Sequence, residues 1–410
     1  MRDVLVVSLA RASVIVGQLA YVKLYSHYLS AYELGVYFFL ITVSYSLNAL
    51  IFVPVDYYQQ SRLYEFLNNG ISLRPFLLFN AKLFRWFGIV AITGSVIFSF
   101  FSPTVAIYCA LTVGTALSLY ASQALRGMLN NLEHKRIAAV SLIFEALLKI
   151  VLLWILLRFM SPNAMTLLAS WTIVLTLVAG FLGWQTQKLG IFSKGRETLE
   201  KIHPADISRF AYPISIGAVF NWIQLQGYRL VLVPLGFAET VGVYATVANI
   251  GSAGMGGVAS VFGQMFVPNI YKTSGKYTGT YLRNAFFLIG FIFVFSLIFS
   301  DLIVSLVTND SFAKYSWILL FGIIAEAGNF IIGALSIHIT ITTSTKKMLN
   351  ASIIGAVSMV IIFSGIYYGD MVTVQTVGVP IVISQLLVVA YMVLAFRKYI
   401  IIQKTSLEKC

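Results

Sequence analysis

The sequence predicts an all-α polytopic membrane protein, with about twelve transmembrane helices in two six-helix bundles. Composition is the first reason. Of 410 residues, 59% are hydrophobic and only 10% charged, whereas soluble domains carry about 25% charged residues. The second reason is the regular recurrence of apolar stretches long enough to cross a bilayer. The third is an internal echo. The stretch 221–244, NWIQLQGYRLVLVPLGFAETVGVY, resembles 21–37, YVKLYSHYLSAYELGVY. Lys23 and Leu24 line up with Arg229 and Leu230; Gly35, Val36 and Tyr37 line up with Gly242, Val243 and Tyr244. The second spacing is longer by one, so one residue is inserted between the two matches. Phe52, Val53 and Pro54 have partners in Phe266, Val267 and Pro268. The chain reads as one unit of roughly 200 residues used twice, and duplicated halves around a midplane site are a transporter design.

Twelve spans follow in order, at 4–25, 34–56, 83–101, 104–124, 137–158, 163–184, 209–235, 241–268, 285–307, 315–339, 350–368 and 376–396. Ala10, Arg11 and Ala12 have the small-x-small look of a signal-peptide cleavage site, but the apolar run continues to Tyr25, so a span is expected instead. The stretch 57–82 is longer than a turn, and its mixed LYEFLNNGISLRPFLLF suggests an amphipathic helix at the membrane surface. The organisation is therefore an N-terminal bundle over 1–184, a cytoplasmic linker over 185–208, a C-terminal bundle over 209–396 and a cytoplasmic tail over 397–410. Of the two cysteines, Cys109 lies in an apolar run and Cys410 ends the sequence, so no disulfide is expected.

The formal charge of +13 fits cytoplasmic loops that collect Lys and Arg, and needs no nucleic-acid partner. With the N-terminus inside, 22 of the 28 Lys and Arg fall in inside segments. Lys314 and Arg158 lie outside, and Arg11, Lys23, Lys149 and Arg229 lie within or at the ends of spans. The external connections are all short. That argues against membrane glycosyltransferases and polymerases, whose chemistry usually needs a sizeable external loop.

Ionisable groups inside spans cost about 2.5–3.5 kcal/mol each on insertion scales, so they are the site candidates. Arg11 shares a polar helix face with Ser8, Gln18 and Tyr25. It either faces a cavity or snorkels to the cytoplasmic headgroups. Glu145 and Lys149, four apart with Glu first, suit an ion pair on one face. That pair either eases insertion or presents Lys149 to an anion with Glu145 tuning it. Lys23 and Arg229 stand near the outer ends of their spans, as headgroup anchors or as a second cation pair. Asn221, Gln224 and Tyr228 form a stripe able to bond sugar hydroxyls or to hold helices together. Glu326 shares a face with Gly322, Asn329 and Gly333 and is a candidate proton or cation site. Gly251, Gly254, Gly256 and Gly257 form a close-packing or flexible cluster. No P-loop, dinucleotide motif or paired His is present. The reading is therefore not an enzyme, with no cofactor and no metal.

With its 6+6 duplication, the Glu33, Leu34, Gly35, Val36, Tyr37 motif and its copy at 239–244, and Gln123, Ala124, Leu125, Arg126, Gly127 before the basic Lys135 and Arg136, the chain resembles Wzx-type polysaccharide flippases of the multidrug/oligosaccharidyl-lipid/polysaccharide (MOP) exporter superfamily. The resemblance covers essentially the whole length. It implies a MATE-like, V-shaped pair of bundles around a central cavity that opens alternately to each side. It implies movement of undecaprenyl-pyrophosphate-linked oligosaccharide, an O-antigen or similar surface-polysaccharide repeat unit, across the bacterial inner membrane. A polysaccharide polymerase and a chain-length regulator are the partners it suggests. On this reading Arg11 and Lys149, with Lys23 and Arg229 nearer the periplasm, hold the pyrophosphate. Gln18, Asn221, Gln224 and Tyr228 line the glycan path, and Glu326 and Glu145 couple an ion. The rival within the superfamily is a drug/cation antiporter, which would want an acidic, aromatic pocket; in-span cations outnumber carboxylates here. A membrane glycosyltransferase is the rival from another class.

The charge pattern predicts that reporter fusions after Gly190 and after Cys410 both behave as cytoplasmic. Periplasmic reporter activity at either point would overturn the span count.

Overall fold

Within lipid, backbone amides can be satisfied only inside the helix that carries them, and the chain folds accordingly. The computed structural model describes residues 2–192, 202–341 and 346–407, with side chains over 12–192, 202–210, 216–339 and 347–396. The described residues are almost entirely helical. α1 spans Arg2–Tyr28, and Ser30 then starts α2, Ala31–Asn68, by accepting from the Glu33 N–H at 3.3 Å. One wide π turn, Asn48–Phe52, stands just ahead of Pro54. A proline has no N–H to give back to the preceding turn, and the widened turn absorbs that fault.

α2 does not stop at the expected membrane boundary, and no separate surface helix follows it. The stretch 57–82 is instead shared between the end of α2 and the start of α3, Arg74–Ser99. The break between them is made by Asn69 and by Gly70, whose φ of 66° is left-handed, and Pro75 opens the new helix. The mixed composition of this stretch belongs to a helical hairpin, which also alternates polar and apolar faces.

The remaining helices are α4 (Pro103–Asn131), α5 (Lys135–Phe159), α6 (Ala164–Lys188), α7 (Pro204–Leu232), α8 (Ala238–Lys272), α9 (Thr278–Val307), α10 (Leu319–Ile341), α11 (Lys346–Tyr368) and α12 (Val379–Leu407). Ten helical segments among the described residues are long and apolar enough to cross a membrane. α1 and α7 occupy the other two expected spans.

The chain divides into two units, Met1–Val219 and Phe220–Cys410. In the first, α4 packs on α2, α3, α5 and α6, α5 packs on α6, and α1 lies along α5. In the second, α10 packs on α8, α9, α11 and α12, and α11 on α12. The same pairing scheme therefore occurs twice, which gives the sequence echo a structural meaning. It also corrects the register of that echo. Tyr21, Val22, Leu34 and Tyr37 are buried, as are Tyr228, Arg229, Val241 and Tyr244 at one constant offset. No residue is inserted, and Arg229 stands opposite Val22 instead of Lys23. One residue is about 100° of helix rotation, enough to take Lys23 off the buried face.

Hydroxyls and small residues hold the helices together, as expected where no hydrophobic force acts between them. Thr115 and Thr172 bond at 2.6 Å, and Ser118 and Thr176 at 2.8 Å, between α4 and α6. Glu33 of the Glu-Leu-Gly-Val-Tyr motif accepts from the Ala164 N–H at 2.7 Å, setting a carboxylate at the positive end of α6. α8 and α10 meet backbone to backbone: a Cβ on Gly322 would overlap Ala248, and one on Gly251 would overlap Leu319. Because backbone cannot move aside, Gly322→Val should cost about 3 kcal/mol or more, at the upper end of overpacking penalties. Gly254→Ala, where a Cβ meets open space, should be tolerated. Thermal denaturation of the two variants in detergent compares them directly.

Candidate functional site

Each unit contains a polar assembly that joins side chains from different helices. In the first unit it is ionic. α5 sets Glu145 and Lys149 one turn apart, and Lys149 Nζ lies 3.2 Å from Glu145 Oε1. The other carboxylate oxygen, Oε2, accepts from Arg126 Nη2 of α4 at 2.5 Å. Arg126 Nε also donates to Ser141 Oγ at 2.9 Å. Lys149 Nζ rests 3.5 Å from the centre of the Trp171 ring on α6, a cation–π contact that strengthens when water is scarce. The side chains of Arg126, Glu145 and Lys149 are 19%, 14% and 22% exposed. Two cations thus share one carboxylate, leaving a net positive charge that is sheltered yet reachable. Such an arrangement can receive an anion.

In the second unit the assembly is built from amides. Gln224 Nε2 of α7 donates to Gln385 Oε1 of α12 at 2.7 Å and to Ser384 Oγ at 3.2 Å. Gln385 Nε2 donates to Asn329 Oδ1 at 3.0 Å and to the Ala325 carbonyl at 3.1 Å. Asn329 Nδ2 then donates to Glu326 Oε2 at 3.3 Å. The chain ends on a partly buried carboxylate. Each of the long side chains lies against a glycine of a neighbouring helix. Gln224 faces Gly355 on α11, Gln385 faces Gly328 on α10, and Glu326 faces Gly256 on α8. The glycines supply the room that these polar groups occupy between closely packed helices.

The other candidates are placed as follows. Arg11 lies outside the residues with described side chains. Gln18, Lys23 and Asn221 are exposed. Arg229 is buried and donates from Nε to the Tyr228 hydroxyl at 2.9 Å, while Tyr228 sits edge-on to Tyr244. The stripe Asn221, Gln224, Tyr228 therefore does not act as one surface: its members meet solvent or lipid, the amide relay, and Arg229 respectively. Lys23 and Arg229 do not form a matched pair.

Sequence reading missed Arg126 and Gln385. A span ending at 124 leaves Arg126 in a cytoplasmic loop, whereas α4 runs to Asn131 and carries Arg126 on the helix. Gln385 carries the same signal as Gln224, an amide within an apolar run.

No protein-family model and no curated protein matches the chain. Solved structures do match. The lipid II flippase MurJ, in an inward closed conformation, aligns with a TM-score of 0.71 and 15% identity over 96% of this chain and 87% of its own. An inward-facing multidrug resistance MATE family transporter of the MOP superfamily aligns with a TM-score of 0.67 and 15% identity, over 97% of this chain and 99% of its own. A MOP superfamily transporter from Pyrococcus furiosus aligns with a TM-score of 0.58 and 14% identity, over 97% and 95%. The chain has the fold of MOP-superfamily transporters, and it is a multi-pass membrane protein.

Removing the shared carboxylate leaves Arg126 and Lys149 facing each other without compensation. Glu145→Gln should therefore destabilise the first unit by about 3 kcal/mol, in the range for a broken buried pair. Lys149→Gln in the same background should restore part of the loss. A double-mutant cycle read by thermal denaturation tests this, and additive losses would mean that the ion pair is not coupled.

Proposed function

We propose that the chain is a flippase for undecaprenyl-pyrophosphate-linked oligosaccharide, moving an O-antigen or similar repeat unit from the cytoplasmic to the periplasmic leaflet of a bacterial inner membrane by alternating access. The observation that carries this reading is the excess of cation over carboxylate in the Arg126, Glu145, Lys149 assembly. A pyrophosphate is the kind of ligand that excess suits, since phosphate oxygens take charge-assisted bonds from Arg and Lys. The likeness of fold to a lipid II flippase supports it. Arg11 would add a further cation to the path. Glu326, at the end of the amide relay, would take up and release the coupling ion, with Gln224 transmitting its state through Gln385. The drug/cation antiporter is the second reading. It is favoured by Glu326 itself, a carboxylate at membrane depth hydrogen-bonded to Asn329, and by the fold shared with a MATE transporter.

Export is measured as lipid-linked glycan reaching the periplasmic face in cells lacking the chromosomal gene and carrying a plasmid copy. Lys149→Gln should lower export at least tenfold, while Lys314→Ala on an external loop should not, both at equal membrane levels. Export by Lys149→Gln equal to that of the control would remove the anion-site reading. Glu326→Gln should abolish the dependence of export rate on external pH, because it keeps shape but removes the titrating group. An unchanged pH profile would make Glu326 a packing residue.

A further inference from the structure

We propose that the hollow formed where α7 and α11 end binds the ammonium head of a membrane phospholipid, with the acyl chains lying along the exposed face of α11. The site shares no residue with the amide relay, and it does not depend on which substrate the protein moves.

Two helix ends build the hollow. α7 ends with the Phe237 N–H bonded to the Leu232 carbonyl at 3.0 Å and the Gly236 N–H to the Val233 carbonyl at 3.1 Å. α11 ends with the same pair of bonds, from Met371 to Ile366 at 3.0 Å and from Asp370 to Tyr367 at 3.2 Å. This arrangement puts one residue in the left-handed region, and glycine is its usual occupant. α7 has Gly236 there, with φ 93°, whereas α11 has Asp370, with φ 53°. Among residues with a side chain, Asn and Asp enter that region most readily. The turn therefore tolerates a carboxylate at this point, and its closing bond ties Asp370 to Tyr367.

Phe237, Tyr367, Tyr368, Asp370 and Val372 line a hollow of about 250 Å³. All five belong to the second unit and have described side chains. Asp370 is exposed and is the one charged residue of the lining. Among the described residues its carboxylate has no ion pair and accepts no hydrogen bond. The rings of Tyr367 and Tyr368 stand 5.6 Å apart, centre to centre, and are inclined at 72°. Rings so inclined offer a corner and not one flat platform.

This chemistry narrows the ligand. A carboxylate with no cation beside it repels phosphate and attracts ammonium. Aromatic rings favour a cation over a neutral group through their negative faces. The hollow is smaller than the roughly 300–1,000 Å³ of pockets that enclose drug-sized molecules, so it suits a head group and not a whole amphiphile.

The surroundings make the ligand a lipid. Val357, Val360, Ile361 and Tyr368 are all exposed, and at helical spacing they fall within about 100° of one another on α11. From Val357 to Tyr368 this stripe rises about 17 Å, a little over half of the roughly 30 Å hydrocarbon core of a bilayer. It ends at the hollow through Tyr368. A phospholipid with its chains against the stripe would bring its head to the level of Asp370. Tyrosines are common at that depth in any membrane protein, but a belt of tyrosines does not call for the carboxylate.

The test uses purified full-length protein in detergent micelles and native mass spectrometry. The probes are dioleoyl phosphatidylethanolamine, dioleoyl phosphatidylglycerol, which has the same chains and no ammonium, and water-soluble glycerophosphoethanolamine. Wild type should retain the ethanolamine lipid about fivefold better than the glycerol lipid at equal concentration. Asp370→Asn keeps a residue that accepts the left-handed turn and removes the charge. It should abolish that preference and leave retention of the glycerol lipid unchanged. Asp370→Gly should lose the preference equally while melting no lower than wild type, which separates binding from folding. Tyr367→Leu and Phe237→Leu should weaken the preference, and Asp310→Asn, an exposed acid of the same unit outside the hollow, should not. Equal retention of the two lipids by wild type would overturn the proposal. So would an unchanged preference in Asp370→Asn, which would leave the tyrosines as interface anchors only. Displacement of the lipid by an equal concentration of glycerophosphoethanolamine would show that the head alone suffices and would overturn the assignment to a lipid.

Discussion

A polar group at membrane depth must find its partner inside the protein, and the arrangement of both units follows from that requirement. In the first unit Glu145 answers it for two cations at once, Arg126 from α4 and Lys149 from its own helix. The carboxylate joins α4 to α5, and the ring of Trp171 brings α6 to the same point. Desolvating three charges is costly, and their mutual attraction offsets the cost only with good geometry. That balance leaves a net positive charge among the three side chains.

The second unit meets the same requirement with neutral groups. Its relay from Gln224 through Gln385 and Asn329 to Glu326 crosses three helices with a single carboxylate. Amides can both donate and accept, so each link can be satisfied without a counter-charge. The space comes from Gly355, Gly328 and Gly256, one beneath each of the longer side chains. In the first unit the corresponding helix pair, α1 and α5, closes with Gly17 against Ala146, whereas α7 and α11 close with Gln224 against Gly355. The contact is apolar in one unit and carries a hydrogen-bonding group in the other.

The ion pair of Glu145 and Lys149 was legible because it lies within one helix, where spacing alone brings side chains together. Glu326 was legible because a carboxylate in an apolar run stands out by cost. Arg126 was not, since its span was ended too early and its partner is on another helix. Lys23 and Arg229 were paired by charge, while the fold pairs positions by burial, and the two criteria differ by one residue.

The sequence by itself determined the membrane class, the helical content and the duplication, because hydropathy and length act locally and additively along the chain. It also determined which residues would be expensive to bury. Only the tertiary structure decided which of them meet. Contacts between helices depend on rotation and depth, and a shift of one residue turns a side chain about 100°. That geometry buries Arg229 beside Tyr228, leaves Lys23 exposed, and brings Arg126 to Glu145.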